Sequence, residues 1–382
     1  MPLAFPFRPA VAYLRRSSLR HNLKTIRAQL VRSSPLHSPR TKIMGVVKAD
    51  AYGHFATQML PQLEREGITQ FCVASLEEAV EIRKISKSSR VLVLGGILHW
   101  SRKAIDIVSK SRLEVGINDM ASLKLFLPHK NIKIHLKLDT GMNRLGIKSD
   151  EWSEVLGLIK KSGRELEGLY THYASFEGAS FRNQVLLFEE AVRWFENERI
   201  SVRWIHSENS AALFSKAKLR KGILSERGNL VRPGISMYGY MPSNFKTSVN
   251  LRPVLQLVAE IDLVKRVHTG EGMSYDHLYR AKNTHDYGVI PVGYADGVAK
   301  SYASRLMPLW LDRKGKKKGQ LSICGAICMD MLMLRASRGK LQIKDQVVLW
   351  GQGVDQLVKT KVADPYELNL RIAKRIPRIW TE

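Results

Sequence analysis

The sequence predicts an α/β protein: an N-terminal (β/α)8 barrel of the TIM type followed by a C-terminal, mainly-β domain. Three observations carry that prediction. The 382 residues, 44% of them hydrophobic, hold enough apolar material for two cores. Between about residue 40 and residue 240, short apolar runs alternate with amphipathic stretches of helical period. After about residue 246 the pattern changes to period-two runs with few helical stretches.

The strand candidates of the first part are, in order, Ile43–Val47, Phe71–Ala74, Val91–Leu94, Leu113–Ile117, Ile132–Leu138, Leu166–Tyr170, Trp204–Ser207 and Leu230–Arg232. Eight β-candidates with helical segments between them are the pattern of a (β/α)8 barrel. Leu76–Ser86 shows the helical type, with Leu76, Ala79, Val80 and Ile82 on one face and Glu77, Glu78 and Arg83 elsewhere. The second part carries Val254–Val267, Val289–Val292, Leu321–Ile327 and Gln346–Leu349 as strand-like runs. A polar stretch at Pro242–Asn250, with Pro242, Ser243, Asn244 and Ser248, separates residues 1–245 from 246–382.

No apolar run approaches the roughly 18 residues of a membrane span, and Met1–Arg8 is too short and proline-rich for a signal segment. The expected location is the cytoplasm. Cys72, Cys324 and Cys328 have no metal-ligand spacing and no even pairing, which fits a reducing compartment, core packing and no metal. The 61 Lys and Arg against 35 Asp and Glu give a net charge of +26. That charge attracts acidic surfaces non-specifically, but it is spread along the chain without interleaved aromatics, zinc-finger spacing or a basic helix, so specific nucleic-acid binding is not expected. The dense run Arg313–Gly319, bracketed by strand-like segments, reads as an exposed hairpin.

Barrel enzymes carry their functional groups at the carboxyl ends of the strands. Here Lys48 and Tyr52 follow the first strand, Arg144 the fifth and His172 the sixth; His206, Asn209 and Ser210 follow the seventh, and Arg232 the eighth. An amine at a strand mouth is placed to form an imine with an aldehyde once burial frees its lone pair, although a solvated strand-end lysine reads the same way. Barrels commonly bind phosphate at the loops after strands seven and eight. Ser210 offers a hydroxyl there, and in Arg232-Pro233-Gly234-Ile235 backbone donation begins at Gly234 because Pro233 has no N–H. An ordinary Pro-Gly turn is the competing reading.

The segment Val46-Val47-Lys48-Ala49-Asp50-Ala51-Tyr52-Gly53-His54 resembles the pyridoxal-phosphate attachment segment of alanine racemases. Further matching segments follow in the family's order: Leu136–Gly146, Tyr170–Tyr173, His206–Ala212, Val231–Gly239, Gly272–Asp276, Gly293–Gly297, Cys328–Asp330, Tyr366-Glu367 and Arg375–Arg378. The resemblance implies pyridoxal 5′-phosphate held as an imine by Lys48, with Tyr52, Ser210, Gly234, Ile235 and Tyr366 on its phosphate. Arg232 would face the pyridine nitrogen with His206 behind it, and His172 would lie beside the ring. Arg144, assisted by the backbone N–H of Met329, would meet the substrate carboxylate, and Tyr294 would line the entrance. In some members the lysine equivalent to Lys137 is carbamylated.

Racemisation needs an acid–base group on each face of a planar intermediate. The resemblance assigns these to Lys48 and to Tyr275 from the partner of a head-to-tail homodimer. It implies interconversion of L- and D-alanine, which supplies D-alanine for peptidoglycan. Two departures stand out: Leu14-Arg15-Arg16 lacks the family's acidic residue, and Glu208 stands where a small residue is common and is expected to point into solvent. Alternatives are a racemase of serine, lysine or several amino acids, a decarboxylase of the same architecture, a non-catalytic pyridoxal-phosphate carrier, or a nucleic-acid binder.

Overall fold

Seven parallel strands, Gly45–Val46, Gln70–Val73, Arg90–Val93, Glu114–Ile117, Lys133–Lys137, Leu166–Tyr170 and Val202–His206, are paired in chain order in a computed structural model of the protein. An eighth, Leu230–Val231, pairs in parallel with Lys42–Ile43, just before the first, and an isolated bridge joins Ile205 to Asn229. Lys42 N–H donates to Asn229 O (2.9 Å), Met44 N–H to Val231 O (2.9 Å) and Val46 N–H to Pro233 O (3.1 Å), so the eighth strand closes the ring. All eight sequence-predicted barrel strands are present, with ends shifted by a few residues. Phe71, Cys72, Val73, Val91, Leu92 and Val93 are fully buried, as expected of parallel strands covered by helices outside and filled by side chains within.

The structure describes residues 7–32, 41–95, 100–215, 229–245, 248–351 and 356–382; Met1–Pro6 of the opening octapeptide and Lys246 and Thr247 of the inter-domain stretch lie outside them. The helix read at Leu76–Ser86 runs over Leu76–Ile85 and opens with a capping box, in which Ser75 Oγ accepts from Glu78 N–H and the Glu78 carboxylate from Ser75 N–H, both at 3.3 Å. Leu76, Ala79 and Ile82 are buried, and Val80 packs half-buried on the core.

The second domain is built on a nine-stranded sheet in the order Leu263–Val267, His285–Ile290, Leu332–Ala336, Lys317–Ile323, Leu309–Leu311, Gln346–Trp350, Leu255–Glu260, Ala10–Arg15 and Arg378–Thr381. The single run read at Val254–Val267 is two strands, and they lie at different places in the sheet. The hairpin expected at Arg313–Gly319 is present: Leu309–Leu311 and Lys317–Ile323 pair antiparallel around an exposed turn closed by Asp312 N–H to Lys316 O at 2.8 Å.

One strand departs from the sequence reading, which assigns residues 1–245 to the barrel. Ala10–Arg15 instead lies between Leu255–Glu260, antiparallel, and Arg378–Thr381, parallel. Nothing local to Ala-Val-Ala-Tyr-Leu-Arg specifies a partner more than 240 residues away. Among the described residues no helix is long and apolar enough to cross a membrane, and no group of His, Cys, Asp and Glu could hold a metal ion.

Candidate active site at the carboxyl ends of the barrel strands

A pocket of about 350 Å³ opens at the carboxyl ends of the barrel strands. Lys48, Tyr52, His172, Ser210, Arg232, Gly234, Ile235 and Tyr366, eight of the nine residues expected to hold the cofactor, line it together. The ninth, His206, is buried behind Arg232.

Lys48 begins an unusual turn. Ala49, Asp50, Ala51 and Tyr52 all have φ between 51° and 55°, a left-handed helical turn of non-glycine residues that costs roughly 1–2 kcal/mol per residue. Surrounding groups hold it in place. Glu78 Oε1 accepts from Ala49 N–H at 2.6 Å, and Asp50 Oδ1 accepts from Ala56 N–H at 2.7 Å. His54 Nδ1–H faces the carbonyls of Ala51 (3.1 Å) and Tyr52 (3.0 Å), and burial pushes the imidazole down to about 4, so the ring is neutral. Arg378 donates to Gly53 O from Nε (3.2 Å) and Nη2 (3.1 Å), which ties the last strand of the second domain to the Lys48 turn. The sequence reading missed these supports; only Glu78 carried a local signal, as part of a capping box.

An anion cradle lies opposite the lysine. Ser210 Oγ accepts from the N–H groups of Gly234 (3.0 Å) and Ser236 (3.2 Å), gathering the donors of the eighth-strand loop at one point. A Cβ on Gly234 would lie 2.5 Å from Tyr52 Oη, so the bare backbone there makes room for the tyrosine hydroxyl. Burial raises both Tyr52 and Tyr366, the latter to about 12, which keeps both hydroxyls as donors. Convergent N–H and O–H donors suit a phosphate, and a lysine at the other side suits an aldehyde, so the residues fit pyridoxal phosphate.

Arg232 is fully enclosed. Its Nη1 donates to His206 Nδ1 (2.7 Å) and its Nη2 to Thr171 O (2.7 Å), beneath the Tyr170 ring at 5.4 Å. Burial and then the Arg232 charge hold His206 well below its ordinary range. Burial, Arg232 and Arg144 push His172 down to about 3, so both imidazoles are neutral at neutral pH. Burial and the charges of Arg144 and Arg232 lower the Lys137 amine to about 8, partly offset by Asp139.

Residues 14–242 match the family description "Alanine racemase, N-terminal domain" and residues 254–380 match "Alanine racemase, C-terminal domain". The chain belongs to the alanine racemase family. It is 34% identical to the alanine racemase of Staphylococcus saprophyticus, covering 96% of this chain and 95% of that protein. It is 32% identical to that of Geobacter sulfurreducens, over 98% and 97% respectively. Among solved structures, alanine racemase from E. faecalis superposes with a TM-score of 0.84 at 26% identity, with all of each chain covered. Alanine racemase of Clostridium difficile 630 does so with a TM-score of 0.83 at 27% identity, over 98% of this chain and 96% of that one.

The racemase-family residues expected on the substrate side are not gathered in the same way. Tyr275, Met329 and Tyr294 are absent from the pocket of their own chain, and Tyr275 and Met329 are 70% and 53% exposed. Tyr275 stands on a one-turn 3-10 helix, Tyr275–His277, between the left-handed residues Ser274 and Asp276. Met329 lies in the loop between the strands Lys317–Ile323 and Leu332–Ala336. Arg144 is exposed but close enough for its charge to act on His172 and Lys137. Glu208 corrects the sequence reading: it is buried, 8% exposed, in a segment whose backbone is tied to the eighth-strand end by Arg232 N–H donating to Glu208 O (2.9 Å).

Proposed function

We propose that the chain interconverts L- and D-alanine with pyridoxal 5′-phosphate, as a head-to-tail homodimer in the cytoplasm, and so supplies D-alanine for peptidoglycan. One observation carries the reading: a strand-end lysine, a buried arginine and a phosphate cradle line a single pocket, while Tyr275 is exposed outside it. Free Cys72, Cys324 and Cys328 accord with a reducing compartment.

Tyr52, Ser210, Gly234, Ile235 and Tyr366 hold the phosphate through hydroxyl and backbone donors. When bound, the cofactor supplies the electron delocalisation that makes an amino-acid α-proton removable. Arg232, which lines the pocket, would face the ring nitrogen of the cofactor, and because a guanidinium does not surrender its proton it would leave that nitrogen unprotonated. Arg232 would thereby moderate the electron demand the cofactor supplies, favouring return of the proton to Cα over transamination. Lys48 Nζ takes or returns the α-proton on one face. Tyr275 Oη of the partner subunit does so on the other, while Arg144 and the partner subunit's Met329 N–H hold the carboxylate and Tyr294 lines the approach. The Lys137 amine, pushed down to about 8, has the neutral fraction needed for carbamylation.

The test is a panel of single-enantiomer amino acids incubated with holoprotein, read by chiral chromatography and gas evolution. Alanine should equilibrate faster than any other member. Faster equilibration of serine or lysine would reassign the substrate, and carbon dioxide release without racemisation would replace the reading by decarboxylation.

A further inference from the structure

A run of hydrogen bonds leaves the site on the side away from the pocket. Arg232 Nη1 lies 2.7 Å from His206 Nδ1, His206 Nε2 lies 2.9 Å from His135 Nδ1, and His135 Nε2 lies 2.9 Å from Glu114 Oε2. All four side chains are buried. Beyond them Arg90 grips both Glu114 oxygens, at 2.7 and 2.8 Å, and reaches Glu167 at 2.5 Å.

Donor and acceptor chemistry leaves this run only one direction. A guanidinium only donates, so His206 Nδ1 must present its lone pair to Arg232. The His206 hydrogen therefore sits on Nε2 and needs a lone pair on His135 Nδ1. That places the His135 hydrogen on Nε2, facing a carboxylate that only accepts. Burial would raise the Glu114 carboxyl, but the hydrogen bonds of His135 and Arg90 outweigh it and hold Glu114 at about 2, so the terminal acceptor stays ionised. The barrel wall is shaped for the run: a Cβ on Gly168 would lie 2.0 Å from His135 Nδ1, and the Tyr170 ring stacks on His206 at 4.7 Å with planes 2° apart.

We propose that Glu114, acting through His135, is a positioning residue that sets the tautomer of His206 and thereby holds the Arg232 guanidinium in the orientation it presents to the pocket. The tautomer assignment stands by itself; its catalytic consequence rests on the racemase reading. Glu114→Gln is the sharp perturbation. With its amide oxygen toward His135, the NH2 opposes Arg90 Nε–H; with the amide turned, the NH2 opposes His135 Nε2–H and drives the hydrogen to Nδ1. That reversal would put an N–H of His206 against Arg232.

The tautomers are read by ¹⁵N NMR of histidine-labelled apoprotein, with signals assigned by their loss in His135→Asn and His206→Asn. In wild type both His206 and His135 should carry hydrogen on Nε2. Glu114→Gln should populate the Nδ1–H form of His135, and in holoprotein lower kcat by about 10- to 100-fold with KM for alanine within about twofold, the range typical of a lost orienting partner. Hydrogen on Nδ1 of His206 in wild type overturns the proposal, and that measurement decides even if Glu114→Gln fails to fold. Unchanged tautomers in a folded Glu114→Gln, or changed tautomers with unchanged kcat, overturn it equally. Wild-type protein inactive on alanine would refute the racemase reading alone, because the apoprotein spectrum does not depend on it.

Discussion

Replacing Gly234 by alanine should weaken cofactor binding through Tyr52 without unfolding the barrel. The added Cβ would sit 2.5 Å from Tyr52 Oη and 3.2 Å from its Cζ, whereas ordinary contacts begin near 3.4 Å, so the hydroxyl must retreat by about 0.9 Å. Tyr52 has little freedom to do so, being buried with its ring 4.9 Å from that of Tyr238 and 6.1 Å from that of Tyr366. A retreat of that size breaks a hydrogen bond to a phosphate, and one charged hydrogen bond is worth roughly 1.5–3 kcal/mol, or about 10- to 150-fold in affinity. The overpacking itself should cost about 1–3 kcal/mol of stability. The assay is titration of apoprotein with pyridoxal phosphate, followed by visible absorbance, for wild type, Gly234→Ala, Tyr52→Phe and the double variant. Because phenylalanine lacks the clashing oxygen, the double variant should bind about as well as Tyr52→Phe alone instead of showing summed losses. Gly234→Ala binding within twofold of wild type, or losses that add, would refute the assignment of Tyr52 and Gly234 to one phosphate cradle.

Three further outcomes are expected. Lys48→Ala and Tyr275→Phe should each lose on the order of 10²–10⁴-fold in turnover, yet random subunit exchange between them should restore about one quarter of wild-type activity, since half the dimers are mixed and each has one intact site; mixed dimers without recovery would place Tyr275 in its own chain's site or outside catalysis. Labelled bicarbonate should enter a single lysine, with uptake rising as pH passes upward through about 8 where Lys137 loses its proton, and Lys137→Met should abolish it in mass spectra. Arg378→Ala should lower the unfolding free energy by about 3–5 kcal/mol in urea titrations, because it strips hydrogen bonds from the buried carbonyls of Gly53, Ile372 and Ile376.

Local sequence by itself determined the eight barrel strands, the helices between them, the exposed Lys-rich hairpin and the strand-end polar groups Lys48, His172, Ser210 and Arg232. Each of these is written in neighbours a few positions apart: an apolar run, a helical stripe, a strand-end polar group, a Pro-Gly that removes one N–H and bares the next. Tyr366, from the second domain, is reached only through the family resemblance. Tertiary structure alone decided the rest. Ala10–Arg15 joins the second domain's sheet because strand pairing is chosen by exposed edges that meet only after folding. The left-handed turn at Ala49–Tyr52 is disfavoured by every residue in it and persists because Glu78 and His54 hold its N–H and C=O groups while Asp50 and Arg378, through Ala56 N–H and Gly53 O, fix the chain that follows it. Glu208, expected in solvent, is buried where its segment packs beside the end of the eighth strand, a neighbour more than 20 residues away in sequence. The tautomers of His206 and His135 depend on Arg232 at one end and Glu114 at the other, groups that converge from four different barrel strands and that no short window of sequence contains.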